Sequence, residues 1–454
     1  MRGKLLAIIM LAALALRLGL LSVAFENPEG VFTPDSYGYV QLSDHLRSGW
    51  EFRPSGGALP EIFRTPGYPL FLLIGAPYGD EPVQSSGWRV VLPAQVLLDV
   101  LLVGLIYLLG KWTVSHRAGL AAAAFQATAP VAVAASCRML SDSLYAFLLT
   151  AGLLLFVRHL RGKGHSRTLM ACAAVMVAAC YVRPVGLTIA AILLVVLLIR
   201  PHRLIRAGSF ALVLVLALMP WLMRNFFEAG YVGFSSFAGD SAYAFSAPAV
   251  LAETEGIPPD EARRRLEQQQ WERHREQAYE RMETLRGLGT LQGSMAHWRS
   301  RRAREIMLAH PLTAARLHLT GCVGFYLPGA TDVLEVAGVT SGGRGTLRVL
   351  RRDGPWAAGR NYFGGNTPAM LAGIGMGMVF AVKLAFAAGW CVRQVRRRAT
   401  AVGWALFAVV AVCSLLGGVA ATPRFRVPVE PLLNIAAGAA VVAAVEWFMR
   451  RRRA

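Results

Sequence analysis

Two groups of residues have types and spacings that chemistry could use. The first is one stretch, Phe32-Thr-Pro-Asp35-Ser-Tyr37-Gly-Tyr39 and then Phe63-Arg64-Thr65-Pro66-Gly67-Tyr68-Pro69. Proline fixes its own φ and biases the preceding residue toward extended backbone, so this stretch should hold Asp35 and Arg64 in a stiffened loop. The second group is dispersed. Arg138 and Asp142 flank Ser141, Arg183 precedes Pro184, Arg224 precedes Asn225, and Arg424 and Arg426 share the run Arg-Phe-Arg-Val-Pro. Each stands at the end of an apolar run. Arginine offers a planar fork that fits phosphate oxygens. Several arginines at one depth, with the carboxylates Asp35 and Asp142, suit an anionic headgroup whose tail stays in lipid. The competing reading of any one arginine is a side chain snorkelling to the interface or pairing with Asp142. For Asp35 it is an ordinary loop carboxylate that caps a helix over Ser36–Leu46.

The elements that must position these residues are membrane spans. Of 454 residues 55% are hydrophobic and 16% charged, and several continuously apolar runs are about 20 residues long, enough to cross a bilayer core. Continuous runs exclude a β-barrel, whose strands alternate. The formal charge of +20 does not point to nucleic acid, because much of it lies in short basic clusters between spans that set topology and meet anionic lipid. The expected fold is therefore an all-α polytopic bundle of about ten or more spans.

Arg2 and Lys4 precede a first helix over Leu5–Ala24. Arg17 interrupts it and no convincing cleavage site follows, so it reads as a retained helix with the N-terminus inside. Residues 25–87 form a first outer loop, with an amphipathic helix over Ser36–Leu46 lying on the membrane surface and a short apolar stretch at Pro69–Pro77. Spans follow over about 88–110, 118–136, and from Ser143 to about Val157, with further spans ending at Tyr181, Ile199 and Trp221. Residues 1–225 thus make an N-terminal membrane module. Residues 226–366 contain no span and make an outer region, with one or two solvated helices over 260–308, an interfacial part over 312–336 and a Gly-rich loop over 338–366. Residues 367–454 carry three last spans, at about 367–390, 401–421 and 428–449. The loops at 158–167, 200–206 and 391–398 and the C-terminus are basic and acid-free, which puts them and both termini on the cytoplasmic side.

Other polar residues read as structural. Asp99 sits within a span, where an ionised carboxylate costs a few kcal/mol unless paired, and no partner is visible in the sequence; Glu446 reads the same way. His45, His297, His310 and His318 lack ligand spacing. The six cysteines form no metal motif and no disulfide framework; Cys137 and Cys322 both read as outward-facing, which leaves room for a bridge between them.

The quoted stretches resemble GT-C glycosyltransferases, in the bacterial branch related to protein O-mannosyltransferases and lipid A aminoarabinose transferases. Asp35-Ser-Tyr37-Gly-Tyr39 and Arg64-Thr-Pro-Gly-Tyr-Pro69 are similar to the family's first loop. Ser141-Asp142-Ser143, Val182-Arg183-Pro184, Pro220-Trp221-Leu-Met-Arg224-Asn225 and Arg424-Phe-Arg426-Val-Pro428 are similar to later landmarks, in order. The resemblance covers most of 1–240 and the end of the chain. It implies an inverting transfer of a sugar from a polyprenyl-phosphate donor to a glycan, lipid or protein acceptor, at the outer face of the cytoplasmic membrane. Asp35 corresponds to the first-loop aspartate, the base, with Asp142 the second catalytic carboxylate. Arg64, Arg138, Arg183, Arg224, Arg424 and Arg426 would bind the donor phosphate, and Tyr37, Tyr39, Tyr68 and Asn225 would line the substrate loop. No cofactor is obligatory. If a divalent ion takes part, Asp35 and Asp142 are its candidates, although Ser36 stands where relatives often carry a second acid. Arg64-Thr65 departs from the aminoarabinose type. The alternative reading is a transporter or lipid flippase, suggested by span count and the helix break at Arg183-Pro184, and opposed by the absence of visible internal repeats and the small number of intramembrane charges.

The topology makes a direct prediction. In intact cells an impermeant thiol reagent should label a cysteine at position 260 and not one at position 163; the reverse pattern overturns the assignment of sides.

Overall fold

The structure, a computed structural model, describes residues 2–54, 59–75, 86–162, 166–199, 203–281, 285–339, 346–396 and 400–452. Lys163, Arg200, Arg397, Arg398 and Arg453, part of the basic-loop argument, lie outside these, as does Pro77. Every regular element among the described residues is helical.

Six helices are long and apolar enough to cross a membrane: α1 (Arg2–Glu26), α4 (Trp88–Thr113), α7 (Asp142–Leu160), α10 (Arg203–Ala229), α18 (Thr367–Arg396) and α20 (Glu430–Arg451). Between α1 and α4 lie α2 (Pro34–Gly49) and the short α3 (Gly67–Leu72). One further apolar stretch is broken into α5 (His116–Ala127) and α6 (Pro130–Ser136), bent by 60°. Pro130 lacks an N–H and pushes Ala129 out of helical geometry, to φ −69° and ψ 112°. Three shorter apolar helices are α8 (Ser166–Val182), α9 (Val185–Leu198) and α19 (Ala401–Leu416). Pro184 stands between α8 and α9. The chain is a multi-pass membrane protein.

Small residues set the closest approaches within the bundle. A Cβ on Gly110 would lie 2.8 Å from the Gly119 Cα, and one on Gly438 2.8 Å from the Ala118 carbonyl oxygen. Helices α4, α5 and α20 therefore meet backbone to backbone, the usual device where lipid supplies no hydrophobic drive between helices. The last helix is thus part of the central packing, and the Asn434 amide donates to Gln126 across it at 2.8 Å.

Several sequence expectations change. Helix α2 turns its apolar face to protein: Leu42 and Leu46 are buried against Val177, Cys180, Leu218 and Trp221. Helices α13 (Pro259–Arg281) and α14 (Leu285–Ala309) match the two helices expected over 260–308, preceded by α11 (Phe237–Ser241) and α12 (Ala247–Glu255) and followed by α15 (Pro311–Gly321) and α16 (Ala330–Val336). The expected Gly-rich loop instead contains α17 (Thr346–Tyr362), kinked at Gly354, whose φ of 83° suits glycine. Gly289 and Gly293 of α14 fit against the Glu228 and Ala229 carbonyls, where a Cβ would sit 2.0 Å away, so α14 is seated directly on the end of α10. Cys137 and Cys322 are both free; their thiols point to the Arg17 and Leu415 carbonyls respectively.

Asp99 does have a partner. Arg17 of α1 donates through Nε to Asp99 Oδ2 at 2.6 Å, and its Nη1 reaches the Ala13 and Ala127 carbonyls, both at 3.0 Å. Both side chains are fully buried. The pair ties α1 to α4 and to the C-terminal end of α5, beside the break. Glu446 meets Arg117 at the surface instead.

Removing one member of a buried pair strands the other charge and costs about 3–5 kcal/mol, whereas an apolar replacement of both is often neutral. Asp99→Leu should therefore lower the unfolding midpoint in detergent far more than Arg17→Leu combined with Asp99→Leu. A double variant no more stable than Asp99→Leu alone would contradict this account of the pair.

Candidate active site

Helix α2 begins with Thr33 as its N-cap: Ser36 Oγ accepts from the Thr33 N–H at 2.9 Å. Asp35 therefore does not cap the helix as the loop reading supposed. It sits in the first turn, where the helix dipole favours negative charge. Its side chain is half-exposed, at 49%.

Arg64 comes from the turn before α3. The Glu61 carboxylate accepts the N–H groups of Phe63 (2.6 Å) and Arg64 (3.0 Å) and so curls this turn. The Arg64 guanidinium then lies over the Tyr39 ring, 5.4 Å from its centroid, and 3.8 Å from Asp35 Oδ1. It fits there because residue 38 is glycine: a Cβ at Gly38 would be 2.5 Å from Arg64 Cζ.

Asp142 opens α7 and is fully buried. Two arginines from distant parts of the chain meet it. Arg183, in the α8–α9 break, lies 2.9 Å from Oδ1 and donates through Nε to Ser141 Oγ at 2.9 Å. Arg424, in the 3-10 turn Pro423–Arg426, donates through Nε to Oδ2 at 2.9 Å. The same guanidinium donates through Nη1 to Asp35 Oδ2 at 2.8 Å. Arg424 thus bridges the accessible carboxylate and the buried one.

The charges shift the ionisation of both partners. Burial pushes the Asp35 carboxyl up, but Arg424, by charge and hydrogen bond, and then Arg64 and Arg183 outweigh it and hold the carboxyl below its ordinary value. Burial lowers the Arg424 pKa, and Asp142 and Asp35 more than reverse this, so Arg424 stays charged. Asp35 is therefore an ionised acceptor near neutral pH.

The structure brings Asp35, Arg64, Asp142, Arg183 and Arg424 together, with Tyr39 beside them, and places the other sequence candidates elsewhere. Arg138 pairs with Asp332 (2.8 Å) and Glu335 (2.7 Å) of α16. Arg224 donates to the Glu61 and Phe52 carbonyls at 2.5 and 2.9 Å and holds the first-loop backbone. Asn225 is buried and donates to the Gly233 and Phe234 carbonyls. Arg426 is fully buried and donates to Glu430 and three carbonyls, which leaves no edge for a phosphate. Tyr39 stands 3.3 Å from Ser141 Oγ. Tyr68 is buried and donates to Gln95 at 2.6 Å, so it packs behind the site. Tyr37 is exposed and stacked on Phe32. Sequence reasoning missed Glu61 and the pair Asp332 and Glu335, since single acids in a mixed-charge loop and a short helix carry no local signature.

A divalent ion does not fit these residues. The Arg424 guanidinium occupies the space between Asp35 and Asp142, and no cluster of three His, Cys, Asp or Glu capable of ligation exists among the described residues.

Two glycines separate function from stability. Gly38→Ala would displace only the flexible end of Arg64, so the unfolding midpoint should hold while Arg64 is pushed from its place beside Asp35. Gly67→Ala places a Cβ 2.6 Å from the Tyr181 backbone and should cost about 1–3 kcal/mol of stability. Equal thermal shifts for the two variants would refute this division.

Residues 83–223 match the profile of the family described as dolichyl-phosphate-mannose-protein mannosyltransferase. No curated protein matches the sequence. Among solved structures, the fold is similar to the archaeal oligosaccharyltransferase AglB from Archaeoglobus fulgidus, in complex with an inhibitory peptide and a dolichol-phosphate: TM-score 0.54, 15% identity, 100% of this chain and 51% of that one. The Archaeoglobus fulgidus oligosaccharyltransferase complex with zinc and sulfate gives TM-score 0.52 and 15% identity, over 98% of this chain and 50% of that one. ArnT from Cupriavidus metallidurans bound to undecaprenyl phosphate gives TM-score 0.44 and 14% identity, over 95% of this chain and 77% of that one. The chain spans about half the length of the oligosaccharyltransferase. Residues 83–223 thus carry the mannosyltransferase-family profile and the chain as a whole shares the fold of the archaeal oligosaccharyltransferase, which bears out the resemblance seen in the sequence to that extent.

Proposed function

We propose that the protein is a membrane glycosyltransferase that moves a sugar from a polyprenyl-phosphate donor to a hydroxyl of a glycan, lipid or protein acceptor, with inversion, at the outer face of the cytoplasmic membrane. The observation that carries this reading is the guanidinium of Arg424 shared between a buried and an accessible carboxylate at one end of the bundle. Support also comes from the family match over 83–223 and the shared fold.

Asp35 accepts the proton of the acceptor hydroxyl as its oxygen attacks the anomeric carbon. The bond from that carbon to the phosphate oxygen breaks, and its electron pair leaves with the polyprenyl phosphate. Arg64, Arg183 and Arg424 stabilise the charge that grows there. Arg424 Nη2 and Arg183 Nη1 have no protein acceptor among the described residues, which is what donors reserved for a developing charge should look like. Asp142, sealed by two arginines, orients them. The depressed Asp35 pKa keeps the base ionised, at the cost of some basicity, and activity should fall as pH drops through it.

Asp35→Asn keeps size and helix compatibility but cannot take a proton, and loss of a general base costs about 10²–10⁴-fold. The half-exposed site should let the variant fold and insert. Glycan transfer in a deletion strain complemented at equal expression should collapse with Asp35→Asn. Near-parental transfer would remove Asp35 from the mechanism.

A further inference from the structure

Three charged side chains are buried together away from the site. Glu430, at the start of α20, meets Lys383 of α18 through one carboxylate oxygen and Arg426 Nε, at 2.6 Å, through the other. Arg426 Nη1 donates to the Phe325 and Leu327 carbonyls at 2.6 and 2.7 Å, and Nη2 to the Pro328 carbonyl at 3.3 Å. Its guanidinium lies 4.0 Å from the Phe380 ring centroid. All three residues are less than 9% exposed. Two cations face one anion, an expensive arrangement in a membrane-embedded bundle, and an apolar trio would serve stability as well or better. The value of the triad must therefore lie in geometry.

That geometry converges on Arg424, two residues away in the same 3-10 turn. The Val427 N–H donates to the Arg424 carbonyl and the Val429 N–H to the Arg426 carbonyl, so the turn is continuous with α20. Residues 325–328, gripped by Arg426, lead into α16, whose Asp332 and Glu335 hold Arg138 just ahead of Asp142. One buried cluster therefore fixes both the backbone that carries Arg424 and the segment that braces the Asp142 turn.

We propose that Lys383, Glu430 and Arg426 form a positioning triad that sets the Arg424 guanidinium at the height of Asp35 and Asp142, and so acts on donor phosphate binding through Arg424. This rests on the donor-site reading above.

The test uses the full chain in nanodiscs, with undecaprenyl phosphate as the probe. Glu430→Gln should weaken binding about tenfold. Arg426→Lys keeps the charge count and the fold but loses the fork over three carbonyls, and should weaken it severalfold. In an Arg424→Gln background neither change should weaken binding further, because the triad acts through the missing group. A merely structural role would give additive losses in that background, or lowered thermal stability with binding unchanged in the folded fraction; either result overturns the triad proposal. If Arg424→Gln itself binds the probe like the parent, the donor-site reading falls and takes this proposal with it. Loss by Arg424→Gln with no effect of Glu430→Gln or Arg426→Lys overturns the triad alone.

Discussion

One guanidinium holds the candidate site in its present form. Arg424 spans Asp35 and Asp142, which lie 389 and 282 residues before it in the sequence; in space a single planar fork reaches both. Two carboxylates brought to one side of a membrane bundle would repel strongly in a low dielectric. A cation between them turns repulsion into a clamp, and it joins the start of α2, the start of α7 and the turn before α20. Arg183 adds a second cation on the buried carboxylate, which leaves Asp35 the more weakly held of the two and the one open to solvent.

The charged residues reach this place because helices are interrupted there. Pro184 breaks α8 from α9 at Arg183, Pro423 opens the 3-10 turn that presents Arg424, and Pro66 ends the turn that presents Arg64. A proline costs helix hydrogen bonds, and in a membrane the freed groups need other partners. Arg224 and Arg426 fill that need for the first loop and for residues 325–328, donating to carbonyls that helices do not use. Breaks and arginines thus come as a matched set: the break exposes acceptors and aims a side chain, and a second arginine closes the backbone around it.

This explains what the sequence could and could not disclose. Apolar runs of bilayer length located the six long helices to within a few residues at most of their ends, because span length is set by the membrane and not by tertiary contacts; the run expected over 118–136 is broken in two, and α8, α9 and α19 are shorter than the spans expected there. Asp35, Asp142, Arg183 and Arg424 were legible as charged residues at span ends, a place where topology alone does not ask for arginine. Their division of labour was not legible. Arg424 and Arg426 are two positions apart with the same local setting, yet one faces carboxylates of the site and the other is enclosed by Glu430 and carbonyls. The partner of Asp99 was hidden for the same reason: Arg17 is 82 residues earlier and only helix packing brings it near. Helix α17 escaped because glycine content argues for loop, whereas Gly354 marks only a kink between helical turns.

The arginines can be sorted by what their guanidinium groups have left to give. Arg426 is enclosed by a carboxylate and three carbonyls, and Arg138 by two carboxylates of α16. Such groups have little free energy to offer an incoming anion, since each new hydrogen bond would cost an old one. Arg64 is the opposite case: its carboxylate contacts are 3.7 and 3.8 Å, longer than hydrogen bonds, and its charge rests on the Tyr39 and Phe63 rings. Arg183 and Arg424 lie between, each anchored by Nε and one terminal nitrogen, with no acceptor for the other terminal nitrogen among the described residues. A phosphate approaching the site would meet a loosely tied arginine on the first-loop side and two rigidly aimed ones on the bundle side. Rigid donors cost no reorganisation when charge develops, and a loose one can shift with a bound group; that asymmetry is built by the first loop on one side and the helix breaks on the other.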